Sequence, residues 1–74
     1  MEAPEVVSSS EIRTGDGRYP SQIVLRRMKE KTYATHLKVL PPDGEPYFIL
    51  GSYFFSLEEA QADFQRRKLE LEGA

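Results

Sequence analysis

The sequence predicts an α+β fold: a three-stranded antiparallel sheet in the order β-β-β-α, with one carboxy-terminal helix laid on one face. Three observations predict it. Residues 32–40 alternate between apolar and polar side chains, as a half-buried strand does. A Pro41-Pro42-Asp43-Gly44-Glu45-Pro46 turn separates them from a second, strongly apolar run at 47–55. Ser56 then opens an amphipathic helix, with Glu59 three positions on completing a capping box.

The chain has 74 residues, enough for one domain. Chains this short bury roughly 60% of the surface their unfolded form exposes, so a lone core is marginal. With no cysteine, neither a disulfide nor a thiolate-bound metal is available, which leaves local packing and self-association as sources of stability. No apolar run approaches the ~20 residues of a membrane-spanning helix. The opening MEAPEVVSSS is acidic and lacks a basic region followed by a long apolar stretch, so no secretory leader is expected. A cytoplasmic protein without a membrane partner is the expectation.

Residues 1–18 read as a poorly ordered segment, dominated by Pro4, Ser8-Ser9-Ser10 and Gly15-Asp16-Gly17. Val6, Val7 and Ile12 offer a short edge strand at most, with Asp16-Gly17 as its turn. Residues 19–74 then form the single domain. Its first strand is expected at 22–29, where Ile23, Val24 and Leu25 supply bulk, with a helix over LRRMKEK as the competing reading. A turn near Lys31-Thr32 leads into 32–40. There Tyr33, Thr35, Leu37 and Val39 share one face, and Ala34, His36, Lys38 and Leu40 the other.

In the 41–46 turn, Pro42 presets φ, Asp43 bonds locally and Gly44 supplies positive φ. The run 47–55 is apolar on both faces, which is the mark of a central strand. Two registers are open. A three-residue loop sets Val39 beside Tyr47. A four-residue loop sets Val39 opposite Phe48 and His36 opposite Gly51. The second is preferred, because it gathers Leu37, Val39, Phe48, Leu50 and Phe54 on one face. In the helix, Leu57, Ala60, Phe64, Arg67 and Leu71 form one stripe facing the sheet; Phe55 is placed to staple onto Ala60, and Gly73 to end the helix.

One helix seals one face of three strands and leaves the other open. The open face is expected to hold Ala34, His36, Leu40, Tyr47, Ile49, Tyr53 and Phe55, an apolar patch large enough to imply a partner or a second copy of the chain. The alternative is that Val6, Val7 and Ile12 fold over it. A second function class rests on charge. Residues 20–40 carry Arg26, Arg27, Lys29, Lys31 and Lys38 against Glu30 alone, a net +4, while the rest of the chain carries −6 of a total −2. Arg26, Arg27, Lys29 and Lys31 are the candidate nucleic-acid contacts, although solvated flank charges are the ordinary reading of such residues.

An enzyme is not expected. His36 is the lone histidine, and no acid, base and nucleophile can be seen to converge. Glu58, Glu59 and Asp63 are explained by the positive end of the helix dipole. No cofactor or metal is implied.

At Thr35-His36, Asp43-Gly44, Tyr47-Phe48, Gly51, Tyr53-Phe54, Leu57, Ala60 and Asp63-Phe64 the chain resembles a group of short bacterial proteins often carried on mobile elements. The resemblance spans about residues 22–68. It implies a bacterial accessory protein and carries no activity, ligand or catalytic residue with it. The expected function is therefore a small non-enzymatic protein-interaction module, homodimeric through its uncovered sheet face or edge. The alternative is a small regulator touching nucleic acid through 26–31.

Overall fold

The computed structural model describes residues 4–15 and 17–73. Six elements follow in order: β1 Glu5–Ser9, β2 Arg13–Gly15, β3 Arg18–Lys29, β4 Thr32–Val39, β5 Tyr47–Phe54 and α1 Leu57–Gly73. The fold is α+β, an antiparallel sheet with one carboxy-terminal helix, but the sheet has five strands and not three. Its order is β1-β3-β4-β5, with β2 also paired to β3.

The extra strands come from the amino-terminal segment, whose composition resembles that of a disordered tail. β3 has 12 residues, long enough to carry β1 and β2 end to end along one edge. β1 pairs with residues 24–27 and β2 with residues 18–21. Ser10 bridges the gap between them. Its N–H donates to the Ile23 carbonyl at 2.9 Å, and its Oγ accepts the Ile23 N–H at 2.8 Å. The Gln22 amide donates to the Ser10 carbonyl at 2.7 Å. A hydroxyl thus stands in for a ladder partner where the edge breaks, and the serine run serves the sheet. The turn after β2 places Gly17 at φ 77°; Asp16, expected to share that turn, and residues 1–3 lie outside the described residues. Val6 and Val7 extend the sheet sideways and do not fold across its open face, so both stay exposed.

β3 and β4 form the expected hairpin, turning at Glu30-Lys31 with Lys31 at φ 60°. The 41–46 turn is closed by the Gly44 N–H to the Pro41 carbonyl at 3.4 Å, so Pro42 and Asp43 are its central residues. Gly44 is the fourth residue of that turn and is not among the positive-φ glycines, which corrects the expectation for it.

Both registers expected between β4 and β5 occur, in different halves of the hairpin. Near the turn Val39 pairs with Tyr47, Lys38 with Phe48 and Leu37 with Ile49. Beyond it Thr35 pairs with Ser52, Ala34 with Tyr53 and Tyr33 with Phe54. A bulge reconciles them. Leu50 and Gly51 together oppose His36, and Leu50 sits at φ 55° to make the extra step. Phe48 therefore leaves the helix side, where the preferred register put it, and Tyr47 and Ile49 move to that side. β5 is also an edge strand, where its two-faced apolar pattern implied a central one.

The core lies between the sheet and α1. Ile23, Leu25, Ala60, Phe64 and Leu71 are buried together, with Tyr33, Leu37 and Phe54 packed around them. Of the expected stripe, Ala60, Phe64 and Leu71 are buried against the sheet and Arg67 bonds to Ser52 of β5, whereas Leu57 stays exposed outside the core. A polar stitch runs beside it. Fully buried Thr35 donates its hydroxyl to Asp63 Oδ2 at 2.5 Å, and Arg67 donates to Ser52 Oγ at 2.7 Å. Arg67 Nε stands 2.9 Å from Asp63 Oδ2, an ion-pair approach outside hydrogen-bond alignment.

The Ser56 Oγ accepts the Glu59 N–H at 3.4 Å and its carbonyl accepts the Ala60 N–H at 3.1 Å, so Ser56 caps the helix; the return bond from the Ser56 N–H to the Glu59 carboxylate, which would complete the expected capping box, is not made. Phe55 is 83% exposed and makes no staple. The molecule measures 37 × 28 × 16 Å, a slab whose thin axis admits one helix over one sheet layer. No helix among the described residues is long and apolar enough to cross a membrane.

The bulge yields a paired expectation. A Cβ on Gly51 would lie 2.5 Å from His36 Nε2, so Gly51→Ala should cost about 1–3 kcal/mol in urea denaturation as the imidazole is displaced. Leu50→Gly relieves a left-handed residue whose side chain is 68% exposed, and should leave stability unchanged or raise it by up to about 1 kcal/mol.

Candidate functional site

The open sheet face is built by pairing. Residues opposite one another in neighbouring strands project to the same side, so the side away from α1 follows from the register. One row across the sheet is Val6, Arg26, Ala34 and Tyr53. The next is Val24 and His36, with the bulge at Leu50-Gly51 beyond them. A third is Gln22, Lys38 and Phe48. At the hairpin end Lys29 pairs with Thr32 on the same side.

His36 sits at the centre of this face and is only 7% exposed. Gly51 makes room for it, since any side chain there would strike the imidazole. The ring meets Phe48 edge-on at 5.6 Å and Tyr53 edge-on at 5.8 Å. The Arg26 guanidinium lies over the Phe48 ring at 4.0 Å, and Lys38 Nζ is 5.9 Å from the same ring. Both are cation–π contacts. His36 Nδ1 and Arg26 Nε are buried without a hydrogen-bond partner. Burial, and then the charges of Arg26 and Arg67, hold the imidazole below its ordinary pKa.

On the helix side, burial pushes the Asp63 carboxyl up. Hydrogen bonds from Thr35 and Arg66, with the charges of Arg67 and Arg66, outweigh it and hold the group below the usual carboxylate value. Arg66 also pairs with Glu70 at 2.9 Å. A shallow cleft of about 410 Å³ opens between the last turns of α1 and the sheet, lined by Ile23, Leu37, Leu50, Leu71, Arg18, Glu70 and the Arg66-Arg67 pair. Among the described residues no three His, Cys, Asp or Glu side chains gather as a metal-binding group.

Of the expected interface residues, Tyr53 lies on the open face and is 61% exposed. Ala34 and His36 lie on that face but are buried within it. Leu40 is half-buried just past the end of β4, its N–H bonded to the Pro20 carbonyl at 2.8 Å. Tyr47 and Ile49 pair with Val39 and Leu37, on the helix side of β5, and remain exposed because α1 does not reach that far. Of the expected nucleic-acid contacts, Arg26 and Lys29 are on the open face. Arg27 pairs with Tyr33 on the helix side, and Lys31 sits in the turn.

Lys38, counted with the basic charge of residues 20–40, and Phe48, expected on the helix side, were not among the expected site residues, yet they complete the cluster. Gly51 was the available signal, because a lone glycine inside a strand pattern marks a bulge or a close approach. Comparison with family models, curated proteins and solved structures gives no match. The class is therefore set by the fold alone: a one-sided, helix-backed antiparallel sheet.

Two stability effects follow. The unfolded chain takes up the histidine proton at about pH 6.5, whereas folded His36 resists it until lower pH. The stability this contributes is present above about pH 6.5 and declines as pH falls through the interval down to the folded value. Melting temperatures at pH 7.5 and 5.5 should differ, and His36→Gln should remove most of that difference. Asp63 acts in a separate window, its contribution being lost only below about pH 4. Asp63→Asn removes the charged partner of Arg67, which keeps only its bond to Ser52, and weakens the bond from Thr35; it should cost about 2–4 kcal/mol in denaturant titration at neutral pH.

Proposed function

We propose that this chain is a small non-enzymatic protein-interaction module that self-associates along the outer edge of β5. The observation that carries the reading is the character of that edge. β5 has a strand neighbour on one side only, so the backbone groups of its outer side have no ladder partner. From Tyr47 to Leu57 there is no charged residue. Tyr47, Phe48, Ile49, Leu50, Tyr53 and Phe55 are all exposed large hydrophobics. Edge strands are usually guarded by lysine, proline or a bulge, and here only the Leu50-Gly51 bulge is present.

A second copy suits this edge better than a charged partner. An uncharged strand meets itself without like-charge repulsion, and a two-fold axis normal to the sheet gives antiparallel β5–β5 pairing. That arrangement keeps both helices on one side and both open faces on the other. Mass action would then add stability that a core of this size lacks. The resemblance to short bacterial accessory proteins and the absence of cysteine make a bacterial cytoplasm the setting we propose.

Sedimentation equilibrium tests the reading. The wild-type chain should dimerise at micromolar concentration, and Ile49→Lys, which sets an edge lysine beside its symmetry mate, should shift it to monomer at least tenfold more readily. A wild-type chain that stays monomeric to about 100 μM would remove self-association.

A further inference from the structure

From the chemistry of the face opposite α1, we infer that it binds single-stranded nucleic acid. The first observation is the segregation of charge. Glu5 is the one carboxylate in any described strand, and it pairs with Arg27 on the helix side. The open face therefore carries Arg26, Lys29 and Lys38 with no carboxylate in its register. Every ion pair among the described residues belongs to α1, between Arg66 or Arg67 and Asp63 or Glu70. An acidic protein thus keeps three cations on one face of its sheet without an ion-pair partner among the described residues.

The second observation is what stands between those cations. Arg26 and Lys38 both contact the Phe48 ring, and Tyr53 projects from the same row as Arg26 across the small, buried Ala34. Cations alternating with aromatic rings on an open antiparallel sheet match a polyanion whose flat bases are unpaired. Phosphates meet the cations, and bases stack on Tyr53 and on the outer face of the Arg26–Phe48 pair. An acidic polypeptide satisfies the charge but gives the rings nothing to stack on. A duplex hides its bases.

This assignment does not require self-association: it shares Phe48 and Tyr53 with the β5 edge, but it uses their rings and the cations of β3 and β4 in place of the outer backbone of β5. It also differs from the simple basic stretch at 26–31, because Arg27 and Lys31 take no part and Lys38, Phe48 and Tyr53 do.

Fluorescence anisotropy with a labelled 12-nucleotide single strand tests it on the full chain. Binding at 20 mM salt is expected to weaken with salt at a logarithmic slope of roughly −2, for three phosphate contacts at about −0.7 each. Lys38→Gln should weaken binding about fivefold and flatten the slope. Tyr53→Leu should weaken it about tenfold and leave the slope unchanged, which a purely electrostatic surface would not do. Lys68→Gln, on the helix, should have no effect. Circular dichroism establishes that each variant is folded, and Lys38→Arg should restore binding. The Ile49→Lys variant separates the two readings: if it is monomeric yet retains at least wild-type affinity, this face works without the β5 edge. No binding at 20 mM salt, equal competition by poly-glutamate, a preference for duplex, or Lys68→Gln weakening binding as much as Lys38→Gln would each overturn the inference.

Discussion

One extra residue in β5 governs the arrangement of everything around it. Leu50 and Gly51 face the single residue His36, and the added step carries the strand from one pairing register into the other. Side chains alternate with a period of two, so a shift of one residue exchanges the faces of every residue on that side of it. The turn-proximal half of β5 consequently sends Phe48 to the open side and Tyr47 and Ile49 to the helix side, while Tyr53 and Phe54 keep the opposite alternation. Without the bulge, Phe48 would lie with Leu37 and Val39, and Arg26 would lose the ring it covers. Glycine at 51 is what permits His36 to occupy the space between Phe48 and Tyr53.

The second consequence is a molecule with two unlike sides. Carboxylates concentrate on α1 and in the turns, where Glu58 and Glu59 also complement the helix dipole. The strands are almost free of them. A formal charge of −2 therefore describes neither surface. Because the slab is thin, the two sides stay close together, and the field of Arg67 reaches His36 through the sheet as well as Asp63 beside it.

The core itself is modest, and its apolar contacts are supplemented by directed ones. Ile23, Leu25, Phe64 and Leu71 set the distance between layers. Thr35, Asp63, Arg67 and Ser52 fix where along the sheet the helix sits, since hydrogen bonds and ion pairs have directions that packing lacks. The two outer edges are treated differently. β1 is short and has Glu5 and a bulge between Val6 and Ser8, all devices that discourage pairing; β5 has a bulge and no charge.

Local patterns determined much of this chain. The alternation of residues 32–40, the Ser56 cap and the stripe of Leu57, Ala60, Phe64, Arg67 and Leu71 each report a period and a boundary that neighbouring residues alone establish, and each appears where it was expected except that Leu57 stays exposed. Tertiary structure decided the rest. The amino-terminal strands have weak propensity and become strands because β3 is long enough to offer them an edge, with Ser10 completing the ladder. The position of β5 at the rim, the bulge at Leu50-Gly51 and the meeting of Arg26 with Phe48 depend on pairings between residues far apart in the chain. Gly51 hints locally at the bulge, but no short-range pattern says which residues it brings together, because the energy of such pairings exists only once the strands are side by side.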